Sequence, residues 1–508
     1  MVSQQTFDYL QRWLVEAMRP DFERNTREGR EDSLLRWSSY NGKINKGIIS
    51  KIWELFDRYI CCGDDKRIRV KDDDLYVYNG RWFERVAERS FMKELVRRVL
   101  TEIGVSSTYR FYGATKIAEE CMARILNTED CTFVPNRRYV CFTNGVFDTK
   151  DGKLKSHHIR YATDVILDFE YNERASCLVW DIKVKEIIPD IDFRRAFQQF
   201  CGSLLVQREE MKIEYICYLY GTGSNGKSVL ASAVANVFGQ RYFSTFSPQQ
   251  LFRNGDSMFN MKELQGKLLN VCDDLTATDY SGGEFKRFIS GEALTGRSPY
   301  SKEFVKIQPP MMLCCTNVLP ESADDSYGHH RRQLPIFTTR QQFIGSRRDP
   351  ELTAKLSTIE ARQRIFNWLY DGFRMLRNNN GNIELGDSIK DAMAQMVADS
   401  NPARRWAFER GFVYAKPNGR SDARWKSLKH WFADYEKFCA DNDYTSKGNS
   451  RVVSSLFQTL GFEKDRWMSG TYFCVGVLRH DTDEKGEYIA TSESQDIALE
   501  VEINNIKE

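Results

Sequence analysis

An α/β fold is predicted for the central part of this 508-residue chain, with an α+β region before it and a unit of helices and a hairpin after it. Three observations support the α/β core: three apolar stretches that read as buried strands, polar residues at the end of each, and a helical pattern after the first. The strands are predicted at residues 215–220, 267–272 and 311–315. By length, roughly three domains of about 150 residues each are expected.

The loop after the first strand is glycine-rich and fits the pattern G-x-x-x-x-G-K-[ST]. Its glycines let backbone N–H groups face phosphate oxygens, and the next helix adds the positive end of its dipole. Lys227 can reach the β- and γ-phosphates, and Ser228 can bind Mg²⁺. A fortuitous glycine-rich turn is the alternative, but the strand before the loop and the helix over residues 229–238 supply the required context. The predicted nucleotide-binding residues are Gly221, Thr222, Gly223, Ser224, Asn225, Gly226, Lys227 and Ser228.

Two acidic residues end the second strand, which has the form of a Walker B element. Asp273 is predicted to orient Mg²⁺ through water, and Asp274 to polarise the attacking water. Asp274 is one methylene shorter than the glutamate often found at this place, which leaves its role as a base open. The alternative is a helix that starts after a buried strand, with Asp274 serving only as its cap.

An amide and two arginines complete the candidate catalytic set. Asn317 follows the third strand, where its side chain can sense the γ-phosphate and hold the lytic water. Because asparagine also favours loop starts, this assignment depends on the other two elements. Arg331 and Arg332 precede a further apolar strand. They form either a solvated basic turn or an arginine finger that stabilises the transition state in a neighbouring subunit.

In this order the motifs resemble those of superfamily III helicases, and they are most similar to the poxvirus and phage primase-helicase family. The resemblance covers about residues 135–480 and includes residues 290–297, the Pro309-Pro310 pair, and the segment 139–148 followed by 163–171. It implies an AAA+ fold, a hexameric ring that hydrolyses ATP with Mg²⁺ at subunit interfaces, and 3′-to-5′ movement on single-stranded DNA. It also implies DNA replication of a phage, plasmid or mobile element, with a possible replication initiator or primase as partner.

The family places a DNA-binding hairpin between the two acids and the amide, and the candidate here spans residues 297–306. An aromatic ring and nearby lysines suit single-stranded DNA, because cations meet phosphates and the ring meets bases or sugars. Tyr300 and Lys302 are the predicted tip residues, whereas Lys286 and Arg297 could contact either DNA or nucleotide. An exposed polar hairpin without a DNA role is the alternative. The predicted nucleic-acid contacts are Lys286, Arg297, Tyr300, Lys302 and Lys306.

A winged-helix-like domain is predicted over residues 395–480, where the family has one. Helical patterns at 426–438 and 450–460 precede a hairpin over 466–476 with its turn at Ser469-Gly470. The aromatic residues recur at helical spacing and are expected in the core. The residues that could face a duplex are Lys447, Arg451 and Arg466. Residues 481–508 are acidic and are predicted to form a disordered or loosely attached tail.

Residues 1–130 are predicted to be an α+β region of unknown role. Helical patterns are at 7–18, 47–59 and 89–103, and a strand pair is at 67–70 and 74–78, followed by a hairpin-type turn at Asn79-Gly80. Asp72-Asp73-Asp74 is interpreted as a charged turn rather than a metal site. A polymerase-type primase domain needs more chain, so no primase activity is expected. Residues 131–210 are predicted as a β-rich segment and a two-helix collar, and residues 211–375 as the ATPase core.

Composition limits the other functions. With 73 basic and 71 acidic residues, the net charge of +2 gives no global attraction to nucleic acid, so DNA binding must come from local patches. None of the 13 cysteines forms a C-x-x-C pair and the six histidines lack zinc spacing, which indicates reduced thiols of a cytoplasmic protein in a bacterial or phage-infected cell. No apolar run of about 18 residues predicts a membrane span, and the start lacks a signal-peptide pattern.

The predicted function is therefore an ATP-dependent DNA helicase that acts on single-stranded and forked DNA. One alternative is an AAA+ initiator that binds a replication origin, or an ATPase that remodels DNA without processive unwinding. Another is a nucleotide-dependent structural ring with no DNA role. The candidate hairpin at residues 297–306 discriminates between these classes, because all of them share the ATPase motifs.

Overall fold

The computed structural model describes thirteen ranges of the chain: 4–27, 46–61, 66–71, 74–86, 90–103, 107–208, 210–252, 256–273, 283–299, 304–317, 330–400, 402–441 and 449–477. Predicted residues outside these ranges are Asp72, Asp73, Asp274, Tyr300, Lys302, Lys447 and the tail from 481. Within the described residues, no helix is both long and apolar enough to cross a membrane.

The N-terminal unit packs four helices and a three-stranded antiparallel sheet around one core. Its helices are α1 (Gln4–Arg27), α2 (Lys46–Phe56), α3 (Phe91–Ile103) and α4 (Ser107–Asn127), and its strands are β1 (Ile68–Lys71), β2 (Asp74–Tyr78) and β3 (Phe83–Val86). The three predicted helices and the strand pair are confirmed, whereas α4 and β3 were not predicted. The Asn79-Gly80 turn is also confirmed, since Gly80 has a φ of 95° and the Asn79 side chain accepts hydrogen bonds from the backbone N–H groups of Arg81 and Trp82.

A small antiparallel sheet and two helices precede the central sheet, as predicted. The strands are β4 (Tyr139–Phe142), β5 (Gly145–Asp148) and β6 (Lys153–Lys155), and the helices are α5 (Leu178–Ile187) and α6 (Ile191–Gly202). Helix α6 begins after Asp190, whose carboxylate accepts hydrogen bonds from the backbone N–H groups of Asp192 and Phe193. This cap satisfies two of the donors that a helix start leaves without partners.

The central unit is a five-stranded parallel sheet in the order β13-β7-β12-β9-β8, so the predicted α/β class is confirmed. Its strands are β7 (Ile216–Tyr220), β8 (Phe243–Ser244), β9 (Leu269–Asp273), β12 (Met311–Thr316) and β13 (Gln333–Phe337). Between β9 and β12, the strands β10 (Leu294–Gly296) and β11 (Val305–Ile307) form a separate antiparallel ribbon. The helices of this unit are α7 (Lys227–Phe238), α8 (Pro248–Phe252), α9 (Ser257–Glu263), α10 (Gly283–Ile289), α11 (Leu352–Lys355), α12 (Ile359–Asn378) and α13 (Asp387–Ser400).

Both faces of the parallel sheet are buried, which explains why its strands read as continuous apolar runs. On β7, Cys217 and Leu219 belong to the larger core, whereas Ile216 and Tyr218 belong to a second core on the other face. The larger core continues into the small sheet through residues such as Phe142. The sheet therefore holds the carboxyl ends of β7, β9 and β12 in fixed positions along one edge.

Helices α6 and α12 approach so closely that glycine is required at their crossing. A Cβ atom on Gly372 would lie 2.1 Å from the carbonyl oxygen of Gln198. We expect Gly372→Ala to lower the free energy of unfolding by about 1–3 kcal/mol. The steric cost of the added methyl group should exceed the roughly 1 kcal/mol by which alanine is favoured over glycine inside a helix. Urea unfolding measures the change. Gly283→Ala is the control, since its Cβ would meet open space, and equal stability of the two variants would contradict the close packing.

The C-terminal unit has its own aromatic core, which includes Trp406, Trp431 and Phe457. Its helices are α14 (Pro402–Glu409), α15 (Leu428–Asp441) and α16 (Ser450–Thr459), and its strands are β14 (Phe412–Val413), β15 (Trp425–Ser427), β16 (Glu463–Trp467), β17 (Gly470–Cys474) and β18 (Gly476–Val477). The predicted hairpin is confirmed as β16 and β17, which with β15 form a sheet in the order β15-β17-β16. It begins at Glu463, earlier than predicted, and because Trp467 pairs with Gly470 its turn lies at Met468-Ser469 and not at Ser469-Gly470. The helix expected from residue 426 starts two residues later, because residues 425–427 pair with β17 instead.

Candidate nucleotide site and nucleic-acid interface

The loop between β7 and α7 has the backbone shape that its glycines predict. Gly226 has a φ of 89° and Ser224 a φ of 61°, in the left-handed region that most side chains avoid. A Cβ atom on Gly226 would lie 2.6 Å from the side chain of Ile187 on α5, and one on Gly221 would lie 2.3 Å from the Thr338 hydroxyl. Glycine is therefore required at both positions.

The Lys227 amine is buried at the centre of this loop and is 7% exposed as a residue. Its Nζ donates hydrogen bonds to Gly221 O at 2.8 Å, Thr222 O at 2.9 Å, Asn225 Oδ1 at 3.0 Å and Asn317 Oδ1 at 2.9 Å. Because β12 lies beside β7, the amide predicted from the third strand meets the lysine predicted from the first. The amine is thus surrounded by oxygen acceptors, and the oxygens of a phosphate are acceptors of the same kind.

Ser228 and Asp273 both influence the pKa of the Cys315 thiol. In the sheet register Cys315 lies opposite Asp273 on β9 and opposite Leu219 on β7. Burial raises the pKa of the Cys315 thiol well above its usual range, the nearby Asp273 raises it further, and a hydrogen bond with Ser228 lowers it. Ser228 and Asp273 are both exposed. A hydroxyl and a carboxylate are oxygen ligands that suit Mg²⁺, so the two residues fit the metal predicted for them.

Arg331 and Arg332 lie at the opposite edge of the sheet from the phosphate loop. They precede β13, whose first residue pairs with Ile216 and whose last pairs with Tyr220. About 13 Å of strand, at roughly 3.3 Å per residue, therefore separates them from the loop. Arg331 Nη2 lies 2.8 Å from Glu214 Oε2, and Arg332 Nη2 lies 3.3 Å from the same oxygen. The structure does not bring either arginine to the phosphate loop of this chain.

The β10–β11 ribbon presents an aromatic ring beside two cations. Leu294 and Ile307 are buried, whereas Lys306 is exposed on the other face. Just before β11, Phe304 is 60% exposed, and the Arg297 guanidinium lies 6.0 Å from its ring centroid. Sequence reasoning missed Phe304, although its two-residue spacing from Lys306 places both on one face of a strand. Lys286 belongs to α10, a helix that packs against the ribbon, and is half-buried.

Residues 338–347, here called the strap, were also missed. This segment follows β13 and is fastened to the phosphate loop. The Asn225 amide donates hydrogen bonds to Thr338 Oγ1 at 2.7 Å and to Thr339 O at 3.0 Å. The backbone N–H of Phe343 donates to Ser224 O at 2.8 Å. The phosphate loop and the strap are therefore held together as one surface.

Two protein families match separate parts of the chain. Residues 52–191 match the family described as D5 N terminal like, and residues 219–332 match a family of unknown function (DUF5906). No curated protein matches. The first match starts at residue 52, earlier than residue 135, where motif order placed the start of the resemblance. It lies ahead of the phosphate loop and supports a likeness to phage primase-helicases that act in DNA replication.

Solved structures of the C-terminal region of NrS-1 are also similar to this chain. The A form apo structure of that region has 14% sequence identity and a TM-score of 0.43, over 81% of this chain and 97% of that one. A second apo structure of the region has 12% identity and a TM-score of 0.43 over the same shares. A third, also of the A form, has 14% identity and a TM-score of 0.39 over 64% of this chain and 80% of that one.

Proposed function

We propose that the protein is an AAA+ helicase that uses ATP to unwind DNA during the replication of a phage, plasmid or mobile element. The observation that carries this proposal is the convergence of three strand ends. Lys227 donates a hydrogen bond to Asn317 at 2.9 Å, Ser228 follows Lys227, and Asp273 ends β9, which pairs with the strand that Asn317 follows. A lysine, an amide, a hydroxyl and a carboxylate at one edge of a parallel sheet are the groups that nucleoside triphosphate hydrolysis needs.

In this proposal each residue has one role. The loop N–H groups and Lys227 bind the phosphates of ATP, and Ser228 and Asp273 hold Mg²⁺. The metal would neutralise charge on the β- and γ-phosphates. Asn317 would position the attacking water through its side-chain amide, and Asp274 would polarise that water. Lys227 donates a hydrogen bond to Asn317, so the proposed phosphate-binding residue and the proposed water-orienting residue are in direct contact.

DNA binding is proposed for the ribbon and for the C-terminal unit. Residues 402–477 contain thirteen lysines and arginines against eight acidic residues, although the whole chain carries only +2. This local excess is the kind of patch that a nearly neutral protein needs to bind DNA. Helices followed by the β16–β17 hairpin support the winged-helix-like assignment, and Arg451 and Arg466 are exposed there.

Variants of the ribbon test whether this face of the protein binds single-stranded DNA, as the helicase proposal requires. We expect Phe304→Ala combined with Lys306→Ala to weaken single-stranded DNA binding about 5- to 100-fold, because a stacked base contributes roughly 1–3 kcal/mol. Basal ATP hydrolysis should not change, because the ribbon lies outside the nucleotide site. Fluorescence anisotropy with labelled oligonucleotides measures the binding. Lys153→Ala on β6, which is also exposed, is the control, and unchanged binding in the ribbon variant would contradict a DNA role for this face.

A forked-duplex assay tests unwinding itself. Wild-type protein is expected to displace the strand of a fork with a 3′ tail, and replacement of Tyr300 and Lys302 by alanine should abolish displacement while basal hydrolysis remains. The same assay with a 5′ tail tests the direction of movement. Hydrolysis without displacement of either fork would favour the initiator or remodelling function. If DNA neither bound to the protein nor stimulated hydrolysis, the remaining function would be that of a nucleotide-dependent structural ring.

A further inference from the structure

Three aromatic rings lie on the outer face of the sheet β15-β17-β16, outside the core of the C-terminal unit. The other face of this sheet packs on the core through Phe473, which is fully buried. Because side chains alternate between the two faces of a strand, the adjacent Tyr472 lies on the outer face. The register places Trp425 and Trp467 on that face as well. None of the three rings belongs to the core cluster, so they differ from the expectation that the aromatic residues of this unit are core residues.

The rings form a platform whose orientation is fixed at its edges. Trp467 and Tyr472 are stacked, with centroids 4.0 Å apart and planes inclined by 22°, and the Trp425 centroid is 6.2 Å from that of Trp467. Trp467 Nε1 donates a hydrogen bond to Asp465 Oδ2 at 2.8 Å, and Trp425 Nε1 donates one to Gly419 O at 2.9 Å. All three rings are half-buried. Rings held in this way lose little conformational freedom when a flat ligand stacks on them.

Cations and an apolar tip surround the platform. The Arg420 side chain is 71% exposed and lies 2.7 Å from Asp465, so the acid that holds Trp467 is paired with a positive charge. Arg466 is exposed and adjacent to Trp467 along β16. Met468, in the turn of the hairpin, is fully exposed. The face therefore combines flat aromatic surface with positive charge.

This combination suits a single strand of nucleic acid better than a duplex. The flat faces of unpaired bases stack on aromatic side chains, and cations beside the rings meet the phosphates that join those bases. In a duplex the bases are stacked on one another and present only their edges in the grooves. A duplex would use the two arginines but would leave the ring faces without a partner.

We propose that the outer face of this sheet binds unpaired bases of single-stranded DNA, which stack on the platform of Trp425, Trp467 and Tyr472 while Arg420 and Arg466 contact the phosphates. The inference rests on the proposed function, because it takes the ligand to be a strand that the helicase separates. It adds a second site for single-stranded DNA to the β10–β11 ribbon.

The test isolates this face from the ribbon by using full-length protein that carries Phe304→Ala and Lys306→Ala. Fluorescence anisotropy with labelled oligothymidylate gives the affinity. Trp467→Leu keeps an apolar side chain on the strand but removes the aromatic face, and it should weaken binding about 5- to 100-fold, the range for the loss of one stacked base. Trp467→Phe keeps an aromatic face and should bind within about 3-fold of the parent. Phe408→Leu is the matched control, since Phe408 is 62% exposed in the same unit but lies on α14.

An abasic oligonucleotide, which has the sugar-phosphate backbone without bases, separates stacking from charge. Trp467→Leu should leave its affinity unchanged, whereas Arg466→Ala should weaken the binding of both oligonucleotides. Trp425→Leu compared with Trp425→Phe repeats the comparison at a second ring, so the test does not depend on the stability of one variant.

Three results would overturn the inference. One is equal affinity of the leucine and phenylalanine variants for oligothymidylate, which would mean that the rings serve another partner. Another is an equal loss in Phe408→Leu, and the third is tighter binding of the parent to a duplex of the same length. Failure of the proposed function looks different, because wild-type protein would then neither hydrolyse ATP nor displace a strand, whereas failure of this inference leaves both activities intact.

Discussion

Replacement of Lys227 by alanine is expected to lower ATP hydrolysis by at least about 10²- to 10³-fold, the range observed when one preorganised charge-stabilising donor is removed. The physical reason is the position of the amine. It is buried within the loop and lies among four oxygen atoms. Alanine at this position removes the cation that the proposed function places beside the phosphates. DNA-stimulated release of phosphate by the purified variant measures the effect.

Two further variants define what this result means. Asp273→Asn should lose turnover that depends on Mg²⁺, because a neutral amide binds the metal less well than a carboxylate. Lys212→Ala is the control, since Lys212 is exposed and precedes β7, at the end of that strand opposite the phosphate loop. If both Lys227→Ala and Asp273→Asn kept full DNA-stimulated hydrolysis, the assignment of this sheet edge as an ATPase site would be wrong.

The sequence predicts the phosphate loop and its strands because their signals are local. Strands buried on both faces of a parallel sheet read as unbroken apolar runs, and β7, β9 and β12 do so. The loop needs glycine where the backbone turns to a positive φ, as at Gly226. The meeting of Asn317 with Lys227 could also be expected, since polar residues at the carboxyl ends of neighbouring parallel strands share one edge.

The features that sequence reasoning missed depend on packing between distant segments. The strap contacts the phosphate loop only because β13 pairs with β7, more than a hundred residues earlier in the chain. Cys315 lies opposite Asp273 because β12 pairs with β9, about forty residues earlier in the chain. Four of the first five residues of helix α4 are serine, threonine, tyrosine and phenylalanine, residues of modest helix propensity, so its pattern gave no clear signal.

The exposure of the two arginines decides which one can reach a neighbouring subunit. The Arg332 side chain is 16% exposed, and its Nε also donates a hydrogen bond to Ser290 Oγ at 3.1 Å. The Arg331 side chain is 44% exposed. Both arginines pair with Glu214, but Arg332 is also bonded to Ser290 and is the less exposed of the two, so it has less freedom to act in a neighbouring subunit. We therefore propose Arg331 as the finger and Arg332 as the residue that positions its loop.

Arg331→Ala is expected to lower hydrolysis by roughly 10³-fold or more, the scale of an arginine finger, without preventing ATP binding. Binding should persist because the phosphate loop lies at the other edge of the sheet and contacts neither arginine. Arg332→Ala is the matched variant, with one charge removed from the adjacent position. Two measurements separate a loss of hydrolysis from a loss of ATP binding. One is the rate of hydrolysis at an ATP concentration well above the dissociation constant, and the other is equilibrium binding of ATP.

Mixing experiments test whether the arginine acts between subunits. Lys227→Ala subunits keep an intact finger, and Arg331→Ala subunits keep an intact phosphate loop. When the two inactive variants are combined, some interfaces join one intact loop to one intact finger, so partial activity should return. Such recovery requires a ring or at least a dimer, because the two groups lie at opposite edges of each sheet. If wild-type protein stayed monomeric with ATP and DNA and still hydrolysed ATP at full rate, both the finger in trans and the hexameric helicase would be excluded.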